Sequence, residues 1–144
     1  MTAIANILLR DVRPDDKIHL LLWDAPNEPE LQHITFYNNA HWVNYRTNLL
    51  QRLNPGEQFL ALQYYLDREL EAIKSICSGV DKQVVLLEGL DYLITYLSSR
   101  SRSSTTLFWN NLEKTRKLEK ILWILLPYKL APKTWPKDRI KRIS

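Results

Sequence analysis

Residues 82–97 read KQVVLLEGLDYLITYL, and this stretch leaves the chain little choice of fold. Val84, Val85, Leu86 and Leu87 run on without a polar position and end at Glu88. Such a run has no face for water, so it suits a strand covered on both sides, as in the middle of a parallel sheet. Gly89, Leu90 and Asp91 follow, and the apolar spacing then turns helical. A buried strand thus delivers a carboxylate to its own C-terminal end. In open α/β sheets ligands bind at that edge, which makes Glu88 and Asp91 ligand candidates. The plainer role for either is to cap the helix that begins there.

The rest of the chain repeats this alternation. Residues 18–23 are apolar nearly throughout, apart from His19, and read as a second buried strand. Residues 32–37 carry Ile34, Thr35, Phe36 and Tyr37, which favour a short strand. Asn38 or Asn39 is a candidate cap for a helix reaching residue 53, with Trp42, Tyr45, Leu49, Leu50 and Leu53 at helical spacing. Asn54, Pro55 and Glu57 form a strong helix start. The helix that follows buries Leu62, Leu66, Leu70, Ile73 and Cys77 and stops at Gly79. Residues 98–104, SSRSRSS, read as a polar, basic linker, followed by an amphipathic helix over 105–118. Residues 121–126 are a further fully apolar strand, ended by Pro127. A strand or short helix over 4–9 and a turn at 13–16 complete the reading. Strands alternating with helices predict an α/β fold, a mostly parallel sheet flanked by helices in three layers. Residues 1–127 are expected to form a single α/β domain, and 128–144 a basic C-terminal extension.

Charge divides the chain. Of its 20 Lys and Arg, 12 fall within residues 98–144, against 3 of the 16 Asp and Glu. That segment carries +9 and the preceding residues −5, within a net +4. An anionic partner, nucleic acid or an acidic protein surface, would account for such asymmetry, and so would a basic end that neutralises the molecule's own acidic end. Within the basic segment Arg100 and Arg102 lie in the expected linker. Lys129, Lys133, Lys137, Arg139, Lys141 and Arg142 interleave with Tyr128 and Trp135. Cations would neutralise phosphates and an exposed Trp135 would stack on an unpaired base, so these are the candidate nucleic-acid residues. The competing reading docks Trp135 on the sheet and leaves the lysines in solvent.

Several chemistries lack their residues. A phosphate-cradling loop needs G-x-x-x-x-G-K-[ST], whose backbone N–H groups approach the phosphates while the Lys reaches them. Gly56, Gly79 and Gly89 precede Glu57, Val80 and Leu90, so none precedes a Lys. The loop after residues 18–23 is acidic and holds Pro26 and Pro29. A standard ATP or GTP site is therefore not expected. His19, His33 and His41 match no zinc spacing, and one cysteine, Cys77, cannot complete such a set. Cys77 also sits on an apolar helical face, as an inert buried thiol would. No serine lies in a G-x-S-x-G elbow. No cofactor and no metal are expected. No apolar run approaches the roughly 20 residues of a membrane span. Arg10, Asp11 and Arg13 interrupt the first apolar residues, unlike a secretory signal. The expectation is a cytoplasmic protein without a membrane partner.

From Gln83 onward the chain resembles the second half of a RecA/KaiC-type core. Val84, Val85, Leu86, Leu87, Glu88, Gly89, Leu90, Asp91, Tyr92 and Leu93 are similar to a segment of KaiC-related domains that have lost the phosphate loop. Residues 121–126 with Pro127 look like that family's next strand. The likeness spans about residues 58–127. It implies a degenerate P-loop NTPase-like architecture and a regulatory or scaffolding role rather than catalysis. A weaker likeness is to small P-loop-like accessory proteins of phage-defence gene clusters, which sit beside larger nucleic-acid enzymes. The expected function is a non-catalytic adaptor or accessory subunit that binds a larger protein and contacts nucleic acid through its basic C-terminal third. The alternative is a protein–protein module whose basic tail grips an acidic partner. An enzyme built around Glu88, Asp91 and His41 ranks behind both, since no nucleophile–base pair accompanies them.

Overall fold

The computed structural model describes residues 8–9, 17–52, 66–115 and 118–143. The turn expected at 13–16, the helix start at 54–57 and most of the element expected over 4–9 lie outside these residues. Five parallel strands, β1 (Ile18–Leu22), β2 (Ala40–Asn44), β3 (Val84–Glu88), β4 (Ile121–Leu126) and β5 (Ile140–Arg142), form one sheet in the order β2-β3-β4-β1-β5. Helices α1 (Glu28–Tyr37), α2 (Tyr45–Gln51), α3 (Leu66–Ser78), α4 (Leu90–Arg100) and α5 (Arg102–Glu113) flank it. This is the three-layer α/β arrangement expected.

The three apolar runs seen in the sequence are the three central strands. Alternate residues divide between two cores, as the two-residue period of a strand requires. Ile18, Leu20, Leu22, Val85, Leu87, Leu122, Ile124 and Leu126 face α3, α4 and α5. Leu21, Val84, Leu86, Trp123 and Leu125 face α1, through Leu31 and Ile34, together with Leu9 and Ile143. Each central strand is buried on both sides, which is why none shows a polar face.

Three elements differ from the sequence expectation. Residues 32–37 are helical, as the second half of α1. The start signal lies upstream. Asn27 Oδ1 accepts the Glu30 N–H at 2.9 Å, Pro29 stands in the first turn, and Glu28 and Glu30 complement the helix dipole. Burial of Leu31 and Ile34 on one face then outweighs the strand preference of Ile34 to Tyr37. Residues 40–44 are β2, and the helix expected from Asn38 or Asn39 begins at Tyr45. Its N-cap is Asn44, whose Oδ1 accepts the Thr47 N–H at 3.0 Å. Residues 98–104 are no linker. α4 runs to Arg100, the extended Ser101 breaks the chain direction, and α5 starts at Arg102. The Ser99 hydroxyl donates to Tyr96 O and the Thr106 hydroxyl to Arg102 O, so these polar side chains satisfy themselves on helical carbonyls.

The basic C-terminal stretch is built into the sheet. After Pro127 the chain makes a 3-10 turn at Tyr128–Leu130, crosses the α3–α5 face, makes a second turn at Lys137–Arg139 and enters as β5 beside β1. Trp135 is buried in the core on the way. The sheet thus ends on a strand that the sequence places in an extension.

Candidate functional site

The connection from β1 leaves through α1 on one face, and that from β3 leaves through α4 on the other. Such a reversal opens a crevice at the carboxyl edge of a parallel sheet. Here the crevice measures about 260 Å³, with Trp23 and Asp24 just after β1, Asn44 from β2, Glu88 and Asp91 from β3 and the start of α4, and Leu126 from β4 around it. Glu88 and Asp91, the sequence candidates, both line it. His41, near the start of β2 and away from its carboxyl end, does not.

The carboxylates of this edge hold the fold together. Glu88 Oε1 accepts from Trp42 Nε1 at 3.2 Å and from Asn44 Nδ2 at 3.3 Å, fastening the end of the edge strand β2 to β3. Asp24 Oδ1 accepts the Tyr128 N–H at 2.8 Å. Asp91 stands in the first turn of α4, at the positive end of that helix. Gly89 has φ of 92°, and a Cβ there would lie 3.3 Å from Arg46 N and from Asn44 Oδ1. Glycine is therefore needed both for the turn and for the approach of α2 to the end of β3. Helices α1, α2 and α4 all open toward this edge, and each already has an acidic or amide side chain at its start. The edge presents negative charge to a ligand, and no glycine-rich loop follows β1.

The candidate nucleic-acid residues separate into two groups. Trp135, Arg139 and Lys141 are structural, which corrects their assignment as nucleic-acid contacts. Trp135 is 4% exposed and packs edge-on against Trp109, with ring centroids 5.6 Å apart. It therefore offers no face to a base. Arg139 is 3% exposed. Its Nε donates to Ile18 O at 2.9 Å, its guanidinium lies 4.8 Å from the Trp135 ring centre, and Glu113 approaches within 3.8 Å. Lys141 Nζ donates to Leu8 O at 2.7 Å. These groups tie the last strand to its neighbours.

Arg100, Arg102, Lys129, Lys133, Lys137 and Arg142 are exposed. Two of them share a groove of about 330 Å³ between the α4–α5 pair and the crossing segment 129–134. Lys129, Lys133 and Thr134 line one wall, and Ser98, Thr105, Thr106 and Asn110 the other. The Ser98 and Thr105 hydroxyls are 3.2 Å apart and link the two helices across the groove wall. Arg100 and Arg102 sit at the corner between those helices, on either side of Ser101. Among the described residues, neither Lys129 nor Lys133 forms an ion pair. The fold thus gathers residues that are 31 positions apart in sequence, Ser98 to Lys129, into one polar, basic groove.

A buried charged network escaped the sequence reading. Glu69 of α3 has a fully buried side chain, and its carboxylate takes Arg52 Nη1 and Nη2 at 3.0 and 2.8 Å, Arg68 Nε at 3.2 Å and the Tyr45 hydroxyl. Burial works to raise the Glu69 pKa, but the hydrogen bonds from Arg52 and Tyr45 and the Arg52 charge outweigh it and hold the carboxyl below its ordinary value. Burial and the adjacent carboxylate push the Tyr45 phenol far upward. The available signal was an acid at the apolar spacing of α3, between Leu66 and Ile73. Cys77, on the same helix, is fully buried and its thiol is pushed up to about 12 by burial, which suits an inert core residue. Among the described residues no group of His, Cys, Asp and Glu is arranged to hold a metal ion. No helix among them is long and apolar enough to cross a membrane. No protein-family model, curated protein or solved structure matches the chain.

Proposed function

We propose that this protein is a non-catalytic adaptor that contacts nucleic acid through the exposed cations of its C-terminal third. The observation that carries the reading is the groove of Lys129 and Lys133, where two cations without an ion-pair partner among the described residues stand among hydroxyl and amide side chains. Lysine together with Ser, Thr and Asn is the usual company of a phosphate backbone. Arg100 and Arg102 extend the positive surface at the corner of the same two helices. The carboxyl-edge crevice, lined by Asp24, Glu88 and Asp91, does not compete for an anion. A larger protein partner fits α1, where Phe36 is 89% exposed and Tyr37 lies beside it, stacked with His33. The resemblance of residues 84–93 to KaiC-related domains without a phosphate loop agrees with a scaffolding role.

Titration of labelled single- and double-stranded probes at several salt concentrations tests the reading. The expected result is an affinity that falls steeply and log-linearly with salt, because each neutralised phosphate releases counterions. Binding that is absent, or indifferent to salt, removes the nucleic-acid contact and leaves a protein–protein module.

A further inference from the structure

The groove also bears on how a nucleic acid would be held, and this step rests on the nucleic-acid reading above. We infer that one sugar–phosphate strand lies between the α4–α5 pair and the crossing segment 129–134, gripped by Lys129 and Lys133, with its bases unread. Two sets of observations meet in this inference.

The first is what the groove offers. Its polar lining consists of two ammonium groups, the hydroxyls of Ser98, Thr105, Thr106 and Thr134, and the amide of Asn110. The ammonium groups supply charge and donors. The Ser98–Thr105 pair shares a single internal bond, so one hydroxyl proton remains to be donated outward. These groups recognise phosphate and sugar oxygens. None of the carboxylates that line the other crevice is among them, so an anion entering here meets no like charge in the lining.

The second is what the groove withholds. Base stacking needs an exposed aromatic face, and the aromatic residues around this groove are engaged. Trp109 and Trp135 pack edge-on against each other in the core. Arg100 lies over the Tyr96 ring at 5.5 Å, and Arg142 over the Tyr128 ring at 5.7 Å. The Tyr128 hydroxyl donates to Ile143 O at 2.6 Å. A strand held here is therefore held by its backbone, without the stacking that sequence-tolerant single-strand platforms commonly use. Affinity rests on charge, and base composition has little effect.

Fluorescence anisotropy with labelled oligo(dT) and oligo(dA) of equal length, each titrated across a salt series, tests this. The proteins compared are the native chain, the Lys129→Ala/Lys133→Ala double variant, and a Lys137→Ala/Arg142→Ala double variant whose side chains lie outside the groove. All three are first checked for the same unfolding midpoint. The two homopolymers should bind the native chain within about threefold of each other, since stacking strength is not being read. The groove variant should lose about 1.4 from the log–log salt slope, at about 0.7 for each single-strand phosphate contact removed. The outer variant should lose less than that. Salt-dependent binding by the native chain with an unchanged slope in the groove variant overturns the groove and leaves the adaptor reading standing. A strong preference for one homopolymer overturns the backbone-only mode. Failure of the native chain to bind either oligonucleotide overturns both, and tighter salt-dependent binding of a labelled polyglutamate peptide assigns the groove to an acidic protein instead.

Discussion

At the scale of single residues, the most consequential side chain is one that spacing hides. Glu69 falls where α3 should be apolar, and its burial is tolerated because Arg52, Arg68 and Tyr45 satisfy its oxygens. Removing one member of such a network strands the others in a dry setting. Glu69→Ala should therefore cost about 3–5 kcal/mol in a urea denaturation, the range for breaking a buried pair. The pH dependence has a definite sign. The folded Glu69 pKa lies below its unfolded value, so its contribution is fully present above about 4.3 and fades as pH falls through the folded value. Tyr45 is shifted upward, so its contribution is present below about 10 and fades as pH rises beyond that. A urea midpoint measured against pH should fall at both ends, and Tyr45→Phe should flatten the alkaline side. Gly89 was visible as a residue after a strand, but the close approach of α2 was not, because it depends on residues some 45 positions earlier, Asn44 among them. Gly89→Ala should lower stability by about 1–3 kcal/mol, the usual cost of a strained backbone position.

At the scale of elements, legibility followed burial. β1, β3 and β4 are sandwiched between helices, so their residues are apolar apart from His19 and the terminal Glu88, and the runs showed directly in the sequence. α1 and β2 lie where the signals compete. Ile34, Thr35, Phe36 and Tyr37 favour a strand by type, yet the Asn27 cap and the Leu31–Ile34 face make a helix. β2 is an edge strand with mixed burial, so its pattern could be laid on a helix equally well. β5 was illegible for a different reason. It has three residues, two of them basic, and it becomes a strand only because β1 offers an open edge. Its importance can be measured. Ile143, just beyond β5, donates its N–H to Leu22 O at 2.8 Å and is buried under the sheet. Ile143→Ala should cost about 2–5 kcal/mol, as for other fully buried Ile or Leu truncations. Hydrogen exchange should find the Ile143 amide protected, whereas the amide of an unstructured tail would exchange at once.

At the scale of the whole molecule, stability and the proposed binding draw on different physics. The sheet is held by two apolar cores and by ion pairs centred on the buried Glu69, which dissolved salt screens weakly. The proposed contact draws on exposed cations, which salt screens fully. The charge division behind that contact was legible in the sequence as a count. Which cations remain exposed was not, since Arg139 and Lys141 are turned inward by an edge pairing that no spacing reveals, while Lys129 and Lys133 are turned outward by the same crossing segment. The two kinds of electrostatics can be separated in one set of samples. Raising salt from about 0.05 to 0.2 M should reduce oligonucleotide affinity by orders of magnitude if several phosphates are neutralised. Over the same range the urea midpoint should stay nearly constant, because burial of apolar surface is insensitive to screening. A midpoint that fell together with the affinity would mean that salt was unfolding the groove rather than competing for it. A constant midpoint with lost affinity assigns the loss to the surface charges, and with it the division of this chain into an apolar sheet that sets the shape and a basic third that meets the partner.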